Sequence, residues 1–199
     1  MSWSLKIMDA NGALQSTITD ATSPPVMMGS PTCEVDPHGD CVTMTLHGRP
    51  DQLTIPTRGI LQYEEDGTNL FWGPAVVLPP TGSLGAGPAD QDSDSLERFT
   101  IAGGKQLVQD SIVEGYFLLK SWLGSGKDVA DIAFDLCDRY AHPALTVAAA
   151  NFPSIGQVLD TYYAPEQQLN DALDKLAQTV AGGAVWYVDA AGSIHFEAA

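Results

Sequence analysis

Leu169, Leu173, Leu176 and Val180 recur at the spacing of a single helical face, and a proline and a glycine pair bracket them. That spacing fixes an amphipathic helix with one side to bury. Pro165 is placed to take the first helical position, where its missing N–H is no loss, and Glu166 adds favourable charge at the same end. Gly182 and Gly183 permit the left-handed turn that ends helices. Beyond them, Val185, Tyr187 and Ile194, Phe196 alternate with other residues on either side of Asp189-Ala-Ala-Gly192, as two strands around a turn. A helix laid on a hairpin is a packing unit, and nothing in it forms a catalytic signature.

A second helix is predicted in SGKDVADIAFDLCDRYAHP, with Ser125 and Asp128 as a capping box and Pro143 closing the far end. Val129, Ile132, Ala133, Leu136 and Tyr140 form its apolar face, and Cys137 takes a packing position. Asp128, Asp131, Asp135 and Asp138 gather on the opposite side, a solvated face or a partner-binding one.

The first part of the chain reads as strands. SWSLKIMD is followed by the turn signal Asn11-Gly12 and a return strand at Leu14 to Thr19. CVTMTLHG alternates so that Val42, Met44 and Leu46 share one face and Cys41, Thr43, Thr45 and His47 the other. Asp66-Gly67, between RGILQYEED and TNLFWGPAVVL, is the strongest hairpin signal. Residues 20–40 and 79–95 are rich in Pro, Gly, Ser and Asp and read as long loops. The fold class expected is α+β: a small β-barrel or sandwich over residues 1–103, then an α+β domain over 104–199 with two amphipathic helices and a C-terminal β-hairpin.

Charge narrows the function. With 25 acids against nine Lys and Arg, the net charge is −16. An acidic surface repels a phosphate backbone, which argues against sequence-specific nucleic-acid binding. No apolar run approaches the roughly 18 residues that span a bilayer. The N-terminus lacks the pattern of a secretory signal, so synthesis and folding in a cytoplasm are expected, with three cysteines kept reduced.

The chemical motifs fall short. Gly124-Ser-Gly-Lys127 lacks the earlier glycine and the following Ser or Thr of a phosphate loop. Cys33, His38, Cys41 and His47 match no common zinc spacing, and a Cys33–Cys41 disulfide is the other reading of that cluster. Asp90, Asp92 and Asp94 alternate as in a calcium loop, but Ser95 replaces the turn glycine and Ile101 the bidentate acid. His142 and His195 have no paired nucleophile in view. No catalytic residue, cofactor or metal is therefore assigned. The interface candidates are Trp3, Trp72 and Trp122, as aromatic anchors, together with Asp128, Asp131, Asp135 and Asp138.

The order of these segments resembles a known family. The hairpin EEDGTNLFWGPAVV, the strand and glycine pair of RFTIAGGKQLVQDSIV, the acid-faced helix, and the Leu-patterned helix before VWYVDAAGSIHF are similar to those of baseplate-hub and tail-tip proteins of long-tailed bacteriophages. That resemblance implies a virion structural protein of the tail, assembled in the host cytoplasm. It implies a ring, usually a trimer, around a DNA-conducting lumen, with the tail tube, distal tail, spike or tape measure as partners. The family carries two similar barrels per chain, whereas this sequence ends at Ala199 after the α+β hairpin; another polypeptide, or a related ring position, would account for the second. Two other classes stay open: a tail-associated cell-wall hydrolase using acids such as Asp36, Asp40 or Glu64, and a receptor- or carbohydrate-binding module using the tryptophans.

Overall fold

The computed structural model describes residues 2–21, 31–37, 40–48, 59–75, 77–78, 97–119 and 125–199. The readings of 79–95 as a loop, of Asp90, Asp92 and Asp94, of His38 and of Trp122 lie outside these residues. The chain is mixed α and β and divides into two compact units, Met1–Gly103 and Gly104–Ala199.

The first unit holds eight described strands: β1 (Trp3–Met8), β2 (Leu14–Thr19), β3 (Thr32–Val35), β4 (Cys41–Gly48), β5 (Ile60–Glu65), β6 (Thr68–Pro74), β7 (Val77–Leu78) and β8 (Glu97–Ala102). They form two antiparallel sheets, ordered β2-β1-β5-β6 and β3-β4-β8-β7, and β6 lies against β4 and β8. Among the described residues neither sheet closes on itself, so the barrel alternative is replaced by two open sheets. The period of two explains the core. Ile18, Leu5, Tyr63 and Phe71 stand opposite one another across all four strands of the first sheet, and all are buried. In the second sheet Met44 stands opposite Ile101, and both are buried with Leu46, while Val42 on the same face of β4 is exposed.

Residues 20–40 are not all loop. Thr32–Val35 pairs with β4 because a tight turn returns the chain, with Asp36 N–H donating to Asp40 O at 2.9 Å and Asp40 N–H to the Asp36 carboxylate at 2.9 Å. The same Asp-x-x-Gly-x pattern turns the chain at Asp9–Ala13 and at Asp189–Ser193. In both, the aspartate Oδ1 accepts two main-chain N–H bonds at 2.9 Å. At the β5–β6 hairpin Asp66 and Gly67 both take positive φ, +46° and +82°, which a two-residue turn matched to strand twist demands.

The second unit contains α1 (Lys105–Gln109), β9 (Ile112–Val113), β10 (Tyr116–Leu119), β11 (Lys127–Asp128) and α2 (Val129–Tyr140). A 3-10 turn (Ala149–Asn151) then leads to β12 (Val158–Leu159), β13 (Thr161–Ala164), β14 (Gln167–Gln168), α3 (Leu169–Gln178), β15 (Ala184–Val188) and β16 (Ile194–Ala198). The short ladders are nested: β9 pairs with β14, β10 with β13 and β11 with β12, all antiparallel. Of the predicted apolar stripes, Val129, Ile132, Ala133 and Leu136 on α2 are buried, as are Leu169, Leu173 and Leu176 on α3 and Val180 just past its end. Tyr140 is only half-buried, its hydroxyl donating to Gly115 O at 2.9 Å. Both helices pack on the C-terminal hairpin, whose inward face is Val188, Ile194 and Phe196. Fully burying each such side chain stabilises by roughly 1.5–3 kcal/mol.

Both helices start later than their sequence signals. Ser125 is exposed and outside α2; Asp128 caps it instead, accepting from Ala130 N–H at 2.9 Å. Pro165 is likewise outside α3, which begins at Leu169. In each case the two residues before the helix are held extended by a bridge to a distant strand, β11 to β12 and β14 to β9, and Leu169 N–H donates to Ser111 O at 2.8 Å. Tertiary pairing overrides the local start signal.

Candidate functional site

Four acids placed on one side of α2 take three different positions. Asp128 is committed inward: besides Ala130 N–H, its carboxylate accepts from Ser154 Oγ at 2.8 Å, Gly156 N–H at 2.8 Å and Ile155 N–H at 3.3 Å. Asp131 and Asp138 face water. Asp135 is half-buried and takes hydrogen bonds from the Tyr116 hydroxyl at 2.9 Å and from Lys127 Nζ.

Asp128 therefore ties the start of α2 to the 154–156 loop. Burial pulls its pKa up, but the bonds from Ala130, Ser154, Gly156 and Ile155 outweigh that and hold it below the ordinary 3.8. A carboxyl whose folded pKa is depressed stabilises the fold above its unfolded pKa, and the contribution is lost as pH falls through the folded value. Asp128→Ala is thus expected to cost about 2 kcal/mol at neutral pH in urea denaturation, and Asp128→Asn less. The gap between wild type and Asp128→Ala should narrow below pH 4, approximately the ordinary carboxylate pKa. A gap that widens on acidification would contradict the assignment.

Around Asp135 a cluster assembles that sequence reading did not foresee. Tyr116 and Leu118 of β10 share a face of the ribbon with Tyr162 of β13, whose ring lies 6.1 Å from that of Tyr116 and whose hydroxyl donates to Ala172 O of α3 at 3.1 Å. Burial pushes the Tyr116 phenol well above its usual range, and the bond to Asp135 adds to this. The Arg139 guanidinium lies over the Tyr116 ring, 5.4 Å from its centre. Residues 116–119 together with Lys127, Asp135 and Arg139 line a concavity of about 380 Å³. On the outward face of the same ribbon Phe117 and Tyr163 stand opposite each other in the ladder, edge to face at 5.7 Å, and are 52% and 63% exposed. Large aromatic surface of this kind, next to ionic groups, is characteristic of contact faces.

The other candidates disperse. Trp3 is half-buried on β1, and Trp72, only 5% exposed, belongs to the interior of the first unit and offers no anchor to a partner. Cys33 stands opposite Met44 and Cys41 opposite Val35, so the two cysteines do not face each other in the ladder. Cys137 is buried, and that burial raises its thiol pKa, as packing requires. His142 Nδ1 accepts from Ala144 N–H at 3.2 Å. His195 is stacked on Tyr187 at 4.7 Å, with Nε2 3.0 Å from Asp189. Asp36 and Asp40 turn β3 into β4, whereas Glu64, on the other sheet, pairs with Lys6 at 2.6 Å. Among the described residues no three His, Cys, Asp or Glu side chains are placed to share a metal ion, and no helix is long and apolar enough to cross a membrane. Compared with protein-family models and with curated proteins, the chain matches none.

Proposed function

We propose that this chain is a structural component of a bacteriophage tail tip or baseplate hub, working by contact with its neighbours and without catalysis. The observation that carries the reading is the Phe117–Tyr163 pair, more than half exposed on the β10–β13 ribbon beside the Tyr116–Arg139 cluster. Such a face is costly to leave in water and gains by being covered. In this reading the first unit is a small β-sandwich that corresponds to the hub family's first barrel, and the second corresponds to the family's α+β domain. The chain forms a ring, a trimer by family resemblance, between the tail tube and the distal tip, with spike or tape measure as further partners. A net charge of −16 suits a DNA-conducting lumen, since phosphate repulsion prevents the counterion-release binding that a basic wall gives.

The test is the particle itself. Cryo-electron microscopy of tails from the phage encoding this chain is expected to place it at the distal end, and mass spectrometry of purified tails to detect it in ring stoichiometry. Its absence from intact particles would end the proposal.

A further inference from the structure

Arg139 is the point of departure. Lys6 is neutralised by Glu64 and Lys127 by Asp135, but among the described residues Arg139 has no carboxylate within ion-pair distance. It lies over the face of Tyr116, 5.4 Å from the ring centre, and among the described residues no acceptor takes its side-chain N–H donors. It is exposed, at the rim of the 380 Å³ concavity, and the chain as a whole carries only nine basic residues against 25 acids. An unneutralised arginine beside apolar surface is a receptor for a planar anion.

The surroundings decide which anion. Asp131 and Asp138 are exposed on the same helix and repel a run of acids. Asp135 already holds Lys127, so a ligand meets one available cation rather than two. Phe117 also lines the concavity, and Tyr163 packs edge to face on it, giving aromatic surface that suits apolar side chains. We propose that the groove between β10 and α2 docks a segment of a neighbouring protein carrying a single Asp or Glu among apolar residues. Arg139 takes the carboxylate in a bidentate grip, and the Phe117–Tyr163 face takes the flanking side chains. This deepens the contact reading above by naming the partner's chemistry.

Two blocked heptapeptides serve as probes: one with a lone glutamate between leucine and phenylalanine, and its glutamine twin. Binding is read on the full chain by NMR chemical-shift titration, following the Arg139 Nε–H and the Phe117 and Tyr163 rings. The glutamate peptide is expected to bind about tenfold more tightly at low salt, the advantage shrinking as salt is raised. Arg139→Gln should erase the difference between the peptides, while Asp131→Asn should preserve it. A triple-glutamate peptide should gain nothing over the single one. Equal binding of the twins, shifts centred elsewhere, or no binding would overturn the proposal. So would self-association of the chain abolished by Arg139→Gln, which would make a second copy the occupant. Absence of the chain from tail particles would leave the peptide result standing, so the two readings fail separately.

Discussion

Gly73→Ala is expected to destabilise the first unit by about 3 kcal/mol, more than most surface or cap changes in this chain. Gly73 sits inside β6, opposite Leu61, at a point where the second sheet comes close. A Cβ built there would overlap the carbonyl oxygen of Ala102, and would lie 2.9 Å from Phe71 Cζ and 3.0 Å from the carbonyl carbon of Gly103. Two of these three neighbours are main chain. They cannot swing aside, because Gly103 is itself anchored by its N–H to Val42 O at 2.9 Å. Relief must come from separating the sheets, which loosens contacts around Phe71 and Ile101, both fully buried. Hydrogen exchange read on peptides of β5, β6 and β8 should show the loss of protection, and urea denaturation its size. A loss below about 0.5 kcal/mol, the level of an ordinary surface substitution, would mean the sheets do not approach here as described.

Phe196→Ala should cost the second unit about 3–5 kcal/mol. Phe196 is fully buried and stands opposite Trp186 in the hairpin, and β16 packs against α2. Trp186 cannot move into the vacated space without breaking its indole N–H bond to Asp174 at 2.6 Å and leaving Lys105, 4.8 Å from its ring. The void would therefore stay largely unfilled, which is the condition for the upper part of the range. His195→Ala, one position earlier on the outward face, gives the control: it removes the Tyr187 stack and the Asp189 contact and should cost less than about 1 kcal/mol. Equal losses for the two variants would mean that the strand's faces are misassigned.

Legibility differed by element, for physical reasons. The leucine stripe of α3, the apolar face of α2 and the Asp66-Gly67 hairpin were readable because each depends on residues close in sequence. The starts of both helices were not. The signals at Ser125 and Pro165 are sound locally, but the bridges of Lys127–Asp128 and Gln167–Gln168 to distant strands set the boundary. The acid stripe was readable as a pattern but not as function, since Asp128 caps, Asp135 pairs and Asp131 and Asp138 are solvated. The Tyr116–Lys127–Asp135–Arg139 cluster left only faint traces. Tyr-Phe-Leu-Leu shows no alternation to reveal its inner face, and Lys127 lies in a strand before the helix bearing Asp135, where helical spacing rules do not reach. Its one usable signal was an arginine at helical spacing from Asp135 in a chain poor in basic residues.

The nesting of β9, β10 and β11 with β14, β13 and β12 makes the second unit a zipper with one natural starting tooth. Closing Asp128 onto Val158 encloses the shortest loop, which already contains α2, and every later rung then adds only a small increment of chain to immobilise. Starting at Ile112 and Gln168 would instead require the whole intervening segment to be gathered at once. The nesting thus favours assembly from the inside outwards, and α1 and α3, which flank the outermost rung, are anchored after α2.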